Sequence, residues 1–519
     1  TRYAEIPREM IVSGDWIVPR LNGVRYFEKP VLGYWLNAIS ITLFGENGFA
    51  IRLPSAISAG ISGLMLFLLV RKYGGGYPEG ILAAAAFLTS LFVFAIATIN
   101  LLDGVLSMFI TGAMTFFFFA YMESEFRKRA LFLALFGTFC GLAFLVKGFL
   151  AFAIPVITIV PFLIWERKFR DLFRITWVPI VVATLVVLPW SVIIHLREGD
   201  FWNYFFWTEH LDRFMSPISG QHPEPFWYFI PILIGGALPW MAVLPAAISG
   251  LGKKGLREPL IRFAICWFLF PFLFFSASSG KLTTYILPCF PPLAILIAMG
   301  LLQYLRAGRQ KAFTIGAASL AVLVGILAVG LILGRALDLP VLKPYGQGET
   351  WKWVVAVVGF FTWSMFSLFA TAAQGYLRKI AIYCVAPLLF IFSSQFIVPE
   401  KIMEGRAPGR LLMHNSHRIS PETILVSDNQ TVSAVCWFYN RDDVYLFKNG
   451  GELSYGLKYD TPKGPRLLTM GRFNRLIKRN PGDNRVILIM SIDRYLRSKH
   501  LITEPAFEDI DSGFVFAQF

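Results

Sequence analysis

The feature that most constrains this chain is a series of long apolar stretches, each about 17 residues or more and almost free of charge. A stretch of that length can cross the hydrocarbon core of a bilayer as a helix. Twelve stretches meet the criterion, at residues 48–70, 79–98, 102–122, 130–146, 148–165, 176–195, 226–251, 259–278, 286–302, 312–333, 351–372 and 380–397. The pattern predicts a polytopic α-helical membrane protein.

The composition agrees with that prediction. Hydrophobic residues make up 56% of the 519 residues and charged residues 16%, which is more apolar and less charged than an ordinary soluble domain. The net charge of +15 would suggest a nucleic-acid partner in a soluble chain. Here the basic residues are explained by their loop positions, so we predict contact with membrane lipids and none with nucleic acid.

Charge alternates sharply between successive loops. Basic clusters occupy every second loop, at residues 71–72, 127–129, 167–174, 253–257, 306–311 and 378–379. The positive-inside rule assigns these loops to the cytoplasm and the others to the outer face. We therefore predict an outward-facing juxtamembrane segment over 1–47, a transmembrane region over 48–397 and an outward-facing soluble domain over 398–519.

Two outward-facing regions have recognisable local patterns. Near the start, "PREMIVSG" (7–14) predicts a short helix, and the aromatic stretch at 30–45 is typical of an interfacial segment. The last region predicts a small α/β domain. Its strands are expected at 423–428, 443–448, 485–492 and 513–519, with a helix at 471–480.

Ionisable residues are scarce in the middles of the predicted spans and gather at their outer ends. They are Asp103, Lys147, His210, Arg213 and Lys281, with Arg2, Glu5, Arg25, Glu28 and Lys29 in the opening segment. An ion-coupled transporter needs polar groups near the midplane. The distribution instead favours a site at the outer boundary, where cations and aromatic rings suit an amphiphile with a phosphate head.

Several of these residues have a second interpretation. Asp103 could hydrogen-bond a substrate hydroxyl or amine, or it could be the N-cap of an interfacial helix. On residue type alone, Lys147 and Lys281 are more simply snorkelling lysines than phosphate ligands. The aromatic stretch 201–214 fits an interfacial belt as well as a substrate groove. A divalent metal shared by Glu28 and His210 is a further alternative, although two ligands are fewer than such sites usually have.

Five longer motifs resemble one known family. They are "TRYAEIPREMIVSGDWIVPRLNGVRYFEKPVLGYW", "LVKGFLAFAIP", "FWNYFFWTEHLDRF", "PFWYFIPILIGGALPW" and "GKLTTYILPCF". They closely resemble motifs of the bacterial lipid A 4-amino-4-deoxy-L-arabinose transferases, which belong with the protein mannosyltransferases in the GT-C superfamily. The similarity runs along nearly the whole chain, including its C-terminal domain.

The resemblance implies a GT-C glycosyltransferase of the bacterial inner membrane with thirteen spans and a periplasmic active site. Such an enzyme moves the aminosugar from undecaprenyl phosphate to a lipid A phosphate, which confers resistance to polymyxin. Family members carry one more span and an acidic pair before the stretch that matches "TRYAEI". We therefore expect the natural N-terminus to lie upstream of Thr1, and the family's first catalytic carboxylate has no counterpart in this sequence.

The resemblance also suggests residue roles. Lys29 and Arg2 match basic residues of the family and are expected at the donor phosphate, while Asp103 matches its second acidic position and is expected to orient the aminosugar. We take Asp103 and Lys29 as catalytic. The other expected substrate contacts are Tyr3, Tyr26, Glu28, Tyr34, Lys147, His210, Arg213, Lys281 and Tyr285, where the tyrosines could equally be interfacial anchors.

Three other functions fit parts of the pattern. A related glycosyltransferase could use a protein or another glycan as acceptor, and a hydroxyl acceptor would need a carboxylate base. A polyprenyl-lipid flippase would move its substrate without covalent chemistry, but the uncharged midplane argues against it. A non-catalytic scaffold that binds a lipid-linked sugar is the third.

Overall fold

The computed structural model describes residues 1–212, 223–339, 344–404, 407–459, 465–480, 485–511 and 513–519. The chain divides into two compact units. The sheet unit comprises Thr1–Ile51, Pro344–Thr350 and Val398–Phe519, and the helical unit comprises Arg52–Lys343 and Trp351–Ile397. Each is described by itself below.

The helical unit is built from long apolar helices. Within the described residues, nine helices are long and apolar enough to cross a membrane. They are Gly48–Tyr73, Leu102–Met122, Phe126–Lys147, Asp171–Arg197, Pro259–Ala277, Thr283–Arg306, Lys311–Ala336, Thr350–Ala372 and Tyr376–Ser394. Leu102–Met122 and Thr283–Arg306 are the most buried of them, whereas Lys311–Ala336 exposes a largely apolar face suited to lipid.

The remaining three predicted spans have a different form. Tyr77–Leu88 and Leu91–Ala97 are bent by 66° at their junction, and Phe229–Gly236 and Trp240–Lys253 by 92°. Leu150–Trp165 has 16 residues. Counting each bent pair as one span gives up to eleven in the described residues, so the predicted count of twelve is not reached. Hydropathy alone cannot detect these breaks, because a kink leaves the apolar composition unchanged.

The first break has a local cause in the sequence. The hydroxyls of Thr89 and Ser90 donate to the carbonyls of Ala85 and Ala86, four residues earlier, which competes with continuation of the helix. The buried Trp240 indole also donates to the Thr89 hydroxyl at 2.9 Å. This bond ties the two broken segments together inside the helical unit.

The C-terminal part of the sheet unit has a six-stranded sheet. Its strands are β3 (Ile424–Ser427), β4 (Tyr445–Phe447), β5 (Leu467–Leu468), β6 (Val486–Ser491), β7 (Phe507–Asp511) and β8 (Phe514–Gln518), with a hairpin of β1 (Arg20–Leu21) and β2 (Val24–Arg25) near the start of the chain. The sheet order is β5-β4-β3-β6-β8-β7, parallel from β5 to β6 and antiparallel from β6 through β8 to β7.

Most predicted elements of this region are confirmed. The four expected strands correspond to β3, β4, β6 and β8, and the expected helix is Met470–Arg479. The sequence did not predict the two-residue β5, the β7 strand with its acidic residues, or the helix Val432–Tyr439. Short and polar segments carry too little apolar periodicity to be recognised before their partners are known.

The opening segment is more helical than its sequence suggested. A helix runs over Arg2–Ser13, five residues earlier than expected, with Pro7 inside it and Gly14 ending it at φ 70°. The aromatic stretch forms the helix Leu32–Phe44. Between them lies the β1–β2 hairpin, whose turn places Asn22 at a left-handed φ of 58°.

Asn22 fixes the hairpin to the sheet. Its amide nitrogen donates to the Val444 carbonyl at 2.7 Å, and its amide oxygen accepts from the Val444 N–H at 2.9 Å. Asn22 is fully buried. Arg466 reinforces the junction by donating to the carbonyls of Asn22 and Asp442. The opening segment and the last domain are therefore one folded body.

Glu9 fixes the same hairpin to the opening helix. Its buried carboxylate accepts from the N–H groups of Asn22 at 2.6 Å and Gly23 at 3.0 Å. Burial first, and then the charge of Glu5, raise the pKa of Glu9 to about 8, while the two backbone hydrogen bonds oppose the shift. Arg8 compensates Glu5 by two hydrogen bonds, at 2.8 and 2.6 Å.

The Asn22 junction predicts a loss of stability on Asn22→Gly. Glycine accepts the left-handed backbone but removes two buried hydrogen bonds, so the free energy of unfolding should fall by about 2–4 kcal/mol. Asn440→Gly is the matched control, because Asn440 is exposed at φ 52° and ends a helix. Thermal unfolding of both purified variants checks this, and an equal effect at the two positions would contradict it.

The Glu9 pKa predicts a pH dependence of unfolding. Its folded-state value lies above the ordinary value, so the stabilisation is complete at acidic pH and is lost as pH rises through about 8. Melting temperatures of the wild-type protein should therefore fall between about pH 5 and pH 8 and level off above that. Glu9→Gln cannot ionise and should show a shallower fall over this range. Parallel curves for the two proteins would show that Glu9 does not titrate there.

Candidate functional site

Six of the predicted site residues lie together in the sheet unit. They are Arg2, Tyr3, Tyr26, Glu28, Lys29 and Tyr34. The opening helix contributes two of them, the segment after the β1–β2 hairpin contributes three, and the helix Leu32–Phe44 contributes one. We call this set the cation–tyrosine cluster.

Arg2 is the centre of the cluster. Its guanidinium donates to the Tyr3 hydroxyl at 3.2 Å and lies 4.8 Å from the Tyr3 ring centroid and 6.0 Å from that of Tyr26. It also forms an ion pair with Glu452. Aromatic faces attract the cation, and the carboxylate fixes its direction.

Glu452 is the one cluster member that the sequence did not indicate. It lies 450 positions from Arg2, in a turn of the C-terminal domain, and it accepts a hydrogen bond from the Tyr26 hydroxyl at 2.6 Å. Burial opposes its ionisation, yet the Arg2 charge and the hydrogen bonds from Arg2 and Tyr26 hold the pKa of Glu452 below its usual range. It is therefore an ionised anchor for both side chains.

Tyr34 has an unusual environment. Its side chain is completely buried beside Tyr3, with ring centroids 6.3 Å apart. Burial raises its pKa well above 10, so the phenol is neutral and available as a donor. In the described part of the chain, however, its hydroxyl has no hydrogen-bond partner. A buried hydroxyl without a partner costs about 1–3 kcal/mol, which an acceptor oxygen from a ligand would recover.

Lys29 supplies the second cation. It is half-buried, and its ammonium donates to the Glu28 carbonyl at 2.7 Å. Its charge also helps to lower the pKa of Glu452, which places it in the electrostatic field of the same cluster. Two cations and several phenols in one cluster can bind an anionic oxygen group.

A second group lies in the helical unit. The Lys147 ammonium donates to Asp103 Oδ1 at 2.6 Å and lies 5.0 Å from the Tyr285 ring centroid. Both ionised side chains are about nine-tenths buried. They stand at the ends of adjacent helices, because Asp103 begins Leu102–Met122 and Lys147 ends Phe126–Lys147. A cavity of about 10 Å³ adjoins all three residues.

These positions correct two interpretations made from the sequence. Asp103 is not an N-cap, because Leu101 holds that position and the Asp103 carboxylate binds Lys147. Lys147 does not snorkel, because its side chain is buried in the ion pair. Neither fact could be seen locally, since the two residues are 44 positions apart.

Lys281 is anchored to backbone carbonyls of the helical unit. It is buried, and its ammonium donates to the backbone carbonyls of Ser278 at 2.5 Å and Glu224 at 2.8 Å. These bonds brace two loops of the helical unit against each other. Two of the three N–H donors of the Lys281 ammonium are therefore used by backbone carbonyls.

The remaining predictions cannot be compared with side-chain positions. Arg213 lies outside the described residues, and His210 belongs to the π-helix Tyr204–Asp212 with its side chain outside the described part. The metal site suggested for Glu28 and His210 stays a prediction for that reason. Among the described residues, no three or more His, Cys, Asp or Glu side chains are grouped so that they could hold a metal ion.

Comparison with known families adds two matches along the sequence. The family model described as dolichyl-phosphate-mannose-protein mannosyltransferase matches residues 1–205. The model described as arabinosyl transferase ArnT, C-terminal domain, matches residues 403–518. Together they cover both ends of the chain.

Relatives of known name match across most of their length. A protein of Shewanella sediminis named undecaprenyl phosphate-alpha-4-amino-4-deoxy-L-arabinose arabinosyl transferase is 42% identical over 89% of this chain and 84% of its own length. A protein of the same name from Aeromonas hydrophila is 36% identical over 95% of this chain and 89% of its own length.

Solved structures agree in fold. The crystal structure of ArnT from Cupriavidus metallidurans bound to undecaprenyl phosphate superposes with a TM-score of 0.83, at 23% identity, over all of this chain and 92% of that one. Its apo form gives the same values. The predicted class, a polytopic helical membrane protein of GT-C type with a sheet-containing C-terminal domain, is confirmed.

Proposed function

Because this chain belongs to the family of undecaprenyl phosphate-α-4-amino-4-deoxy-L-arabinose arabinosyl transferases, we propose that it transfers 4-amino-4-deoxy-L-arabinose from undecaprenyl phosphate to lipid A. It is a multi-span membrane glycosyltransferase that uses a lipid-linked sugar donor. The acceptor, the facing of the site and the roles of single residues are our proposals.

The observation that supports a phosphate-bearing donor most directly is the buried Tyr34 hydroxyl, which no described residue hydrogen-bonds. It belongs to a cluster with Arg2 and Lys29, so a phosphate oxygen bound there would receive one neutral donor and two positive charges. Charge-assisted hydrogen bonds of this kind are the strong ones in phosphate recognition. We assign the cation–tyrosine cluster to the undecaprenyl phosphate group.

The reaction exchanges one phosphate for another at the sugar. An oxygen of the acceptor phosphate attacks C1 of the sugar, and the bond between C1 and the undecaprenyl phosphate oxygen breaks. The leaving group departs with the bonding electron pair as a phosphate monoester anion. Lys29 and Arg2 stabilise that developing charge, so no strong general acid is needed.

Asp103 and Lys147 suit the other charged groups of the reactants. The Asp103 carboxylate keeps one oxygen for a further donor, and the amino group of the sugar is such a donor. Lys147 holds the carboxylate in place, and its positive charge favours an approaching acceptor phosphate. Since that phosphate is already anionic near neutral pH, Asp103 acts as an orienting group and not as a base.

We assign the site and the C-terminal domain to the periplasmic side of the inner membrane. The basis is the alternation of loops, because the basic clusters at 127–129, 167–174 and 306–311 belong to the cytoplasm by the positive-inside rule. Lipid A that gains an aminosugar there loses net negative charge, which weakens its attraction for polymyxin and other cationic peptides.

A second acceptor class follows from one specific observation. The mannosyltransferase family model matches residues 1–205, which suggests a protein hydroxyl as an alternative acceptor for a lipid-linked sugar. A hydroxyl must lose a proton during transfer, so that reaction would need Asp103 freed from Lys147 to serve as a base. The buried ion pair therefore favours the phosphate acceptor.

The transfer assay tests donor, acceptor and roles together. Purified protein is incubated with undecaprenyl-phosphate aminoarabinose and either lipid A or a serine-rich peptide. The products are identified by mass spectrometry. We expect the aminosugar on lipid A alone. Lys29→Ala and Asp103→Asn should each lower kcat/KM by about 100-fold or more, as for loss of one preorganised charge.

Lys401→Ala is the control for loss of a lysine charge, because Lys401 is exposed in the same sheet unit. Its activity should stay within about two-fold of wild type, as expected for surface positions. A sugar-modified peptide with unmodified lipid A would overturn the acceptor assignment. Full activity of Lys29→Ala would overturn the role of the cluster.

A pair of tyrosine variants separates binding from folding. Tyr34→Phe removes a hydroxyl that has no hydrogen-bond partner among the described residues, so stability should not fall, while KM for the donor should rise by about 5–10-fold. Tyr26→Phe removes the hydrogen bond to Glu452 and should lower the free energy of unfolding by about 1–3 kcal/mol. Thermal unfolding and donor titration measure both. A destabilised Tyr34→Phe protein with normal KM would contradict the proposed phosphate contact.

A further inference from the structure

A cavity of about 90 Å³ lies in the helical unit at the end opposite to Asp103 and Lys147. It adjoins Tyr121, near the last turn of the helix Leu102–Met122, whereas Asp103 lies in the first turn of that helix. At about 1.5 Å per residue, the two ends are separated by about 27 Å. The cavity is therefore remote from the group assigned to the aminosugar.

Three ionised side chains line this cavity: Arg129, Lys168 and Asp171. In the described part of the chain, none of the three has an ion-pair partner within 4.0 Å. Arg129 lies in the first turn of the helix Phe126–Lys147, Asp171 begins the helix Asp171–Ile175, and Lys168 lies between Trp165 and Asp171, just before that helix. Unpaired charges around one cavity can be satisfied by a ligand that carries complementary groups.

Of the neighbouring charges, that of Glu166 is already neutralised. Glu166 accepts from Arg262 at 2.8 Å and from the Tyr121 hydroxyl at 2.9 Å. The Tyr121 ring lies 4.6 Å from the Lys168 ammonium, so it supports that cation from one side. The cavity itself keeps a net charge of +1.

The inner wall is apolar. It is formed by Phe117, Leu133 and Leu163, all buried. Large exposed aromatic side chains stand on the same loops and helix ends, namely Phe126, Phe169, Phe173 and Trp177. Exposed aromatic residues are typical of the membrane–water interface, where the lipid headgroups lie. The charged side of the cavity is therefore expected at the level of the headgroups, and its apolar wall at the level where the acyl chains begin.

We propose that this cavity binds the headgroup of a glycerophospholipid, with its phosphate on Arg129 and Lys168 and a headgroup hydroxyl or ammonium on Asp171. Basic pockets between transmembrane helices are suited to such headgroups. Phosphatidylglycerol and phosphatidylethanolamine each provide a phosphate and a donor, whereas phosphatidylcholine provides only the phosphate. The site does not depend on the transferase reaction.

Native mass spectrometry of the purified, delipidated protein tests the proposal by titration with single lipids. Phosphatidylglycerol should bind to the wild-type protein at least about ten-fold more tightly than to the double variant Arg129→Gln, Lys168→Gln. The matched control is Arg127→Gln, Lys128→Gln, which removes two charges that do not line the cavity. Its affinity should stay within about two-fold of wild type.

Two further variants keep the result interpretable. Arg129→Lys with Lys168→Arg retains both charges and should bind within about three-fold of wild type, which separates charge loss from misfolding. Asp171→Asn should reduce the preference of the protein for phosphatidylglycerol and phosphatidylethanolamine over phosphatidylcholine. Equal losses in both glutamine double variants would overturn the site.

Inorganic phosphate distinguishes the two sources of a phosphate group. If the protein recognises both the headgroup and the acyl chains, equimolar inorganic phosphate should not displace bound phosphatidylglycerol, because inorganic phosphate has no apolar part to contact the wall. Displacement by equimolar phosphate would overturn the lipid assignment. Wild-type protein that binds the three lipids equally would overturn the role of Asp171.

Discussion

Hydrocarbon tolerates neither an unpaired backbone group nor an unpaired charge, and the rest of this structure depends on that constraint. The helices satisfy their own backbone, and charged side chains stay at their ends. Where such a charge is buried, it has a partner, as Asp103 has Lys147 and Glu166 has Arg262. These buried ion pairs of the helical unit therefore lie in two places, one near each end of the helix Leu102–Met122.

In the sheet unit, the C-terminal domain holds the opening segment in place. The opening segment is short, polar in parts and unable to bury a core by itself, yet it carries most of the cation–tyrosine cluster. Asn22 and Glu9 fix its hairpin, and Glu452 fixes the side chains of Arg2 and Tyr26. The C-terminal domain thus supports the cation–tyrosine cluster by holding the opening segment in place.

Prediction from the sequence succeeded where the signal was local. Long apolar stretches gave the spans, and alternating apolar residues gave β3, β4, β6 and β8. The long motifs gave the family and brought Arg2, Tyr3 and Lys29 to attention. Prediction stayed open where a distant partner decides: Asp103 could be an N-cap and Lys147 a snorkelling lysine until the fold paired them.

The sequence by itself determined the class of protein, the membrane-spanning segments and the family, because hydropathy, loop charge and long motifs are properties of contiguous residues. Only the tertiary structure decided which side chains meet. Glu452 joins Arg2 across 450 positions, and the bends between Leu88 and Leu91 and between Gly236 and Trp240 divide stretches that hydropathy reads as continuous. The physical reason is that an ion pair is fixed by atoms brought together from distant parts of the chain, which no local pattern encodes, whereas a kink leaves the apolar composition of its stretch unchanged.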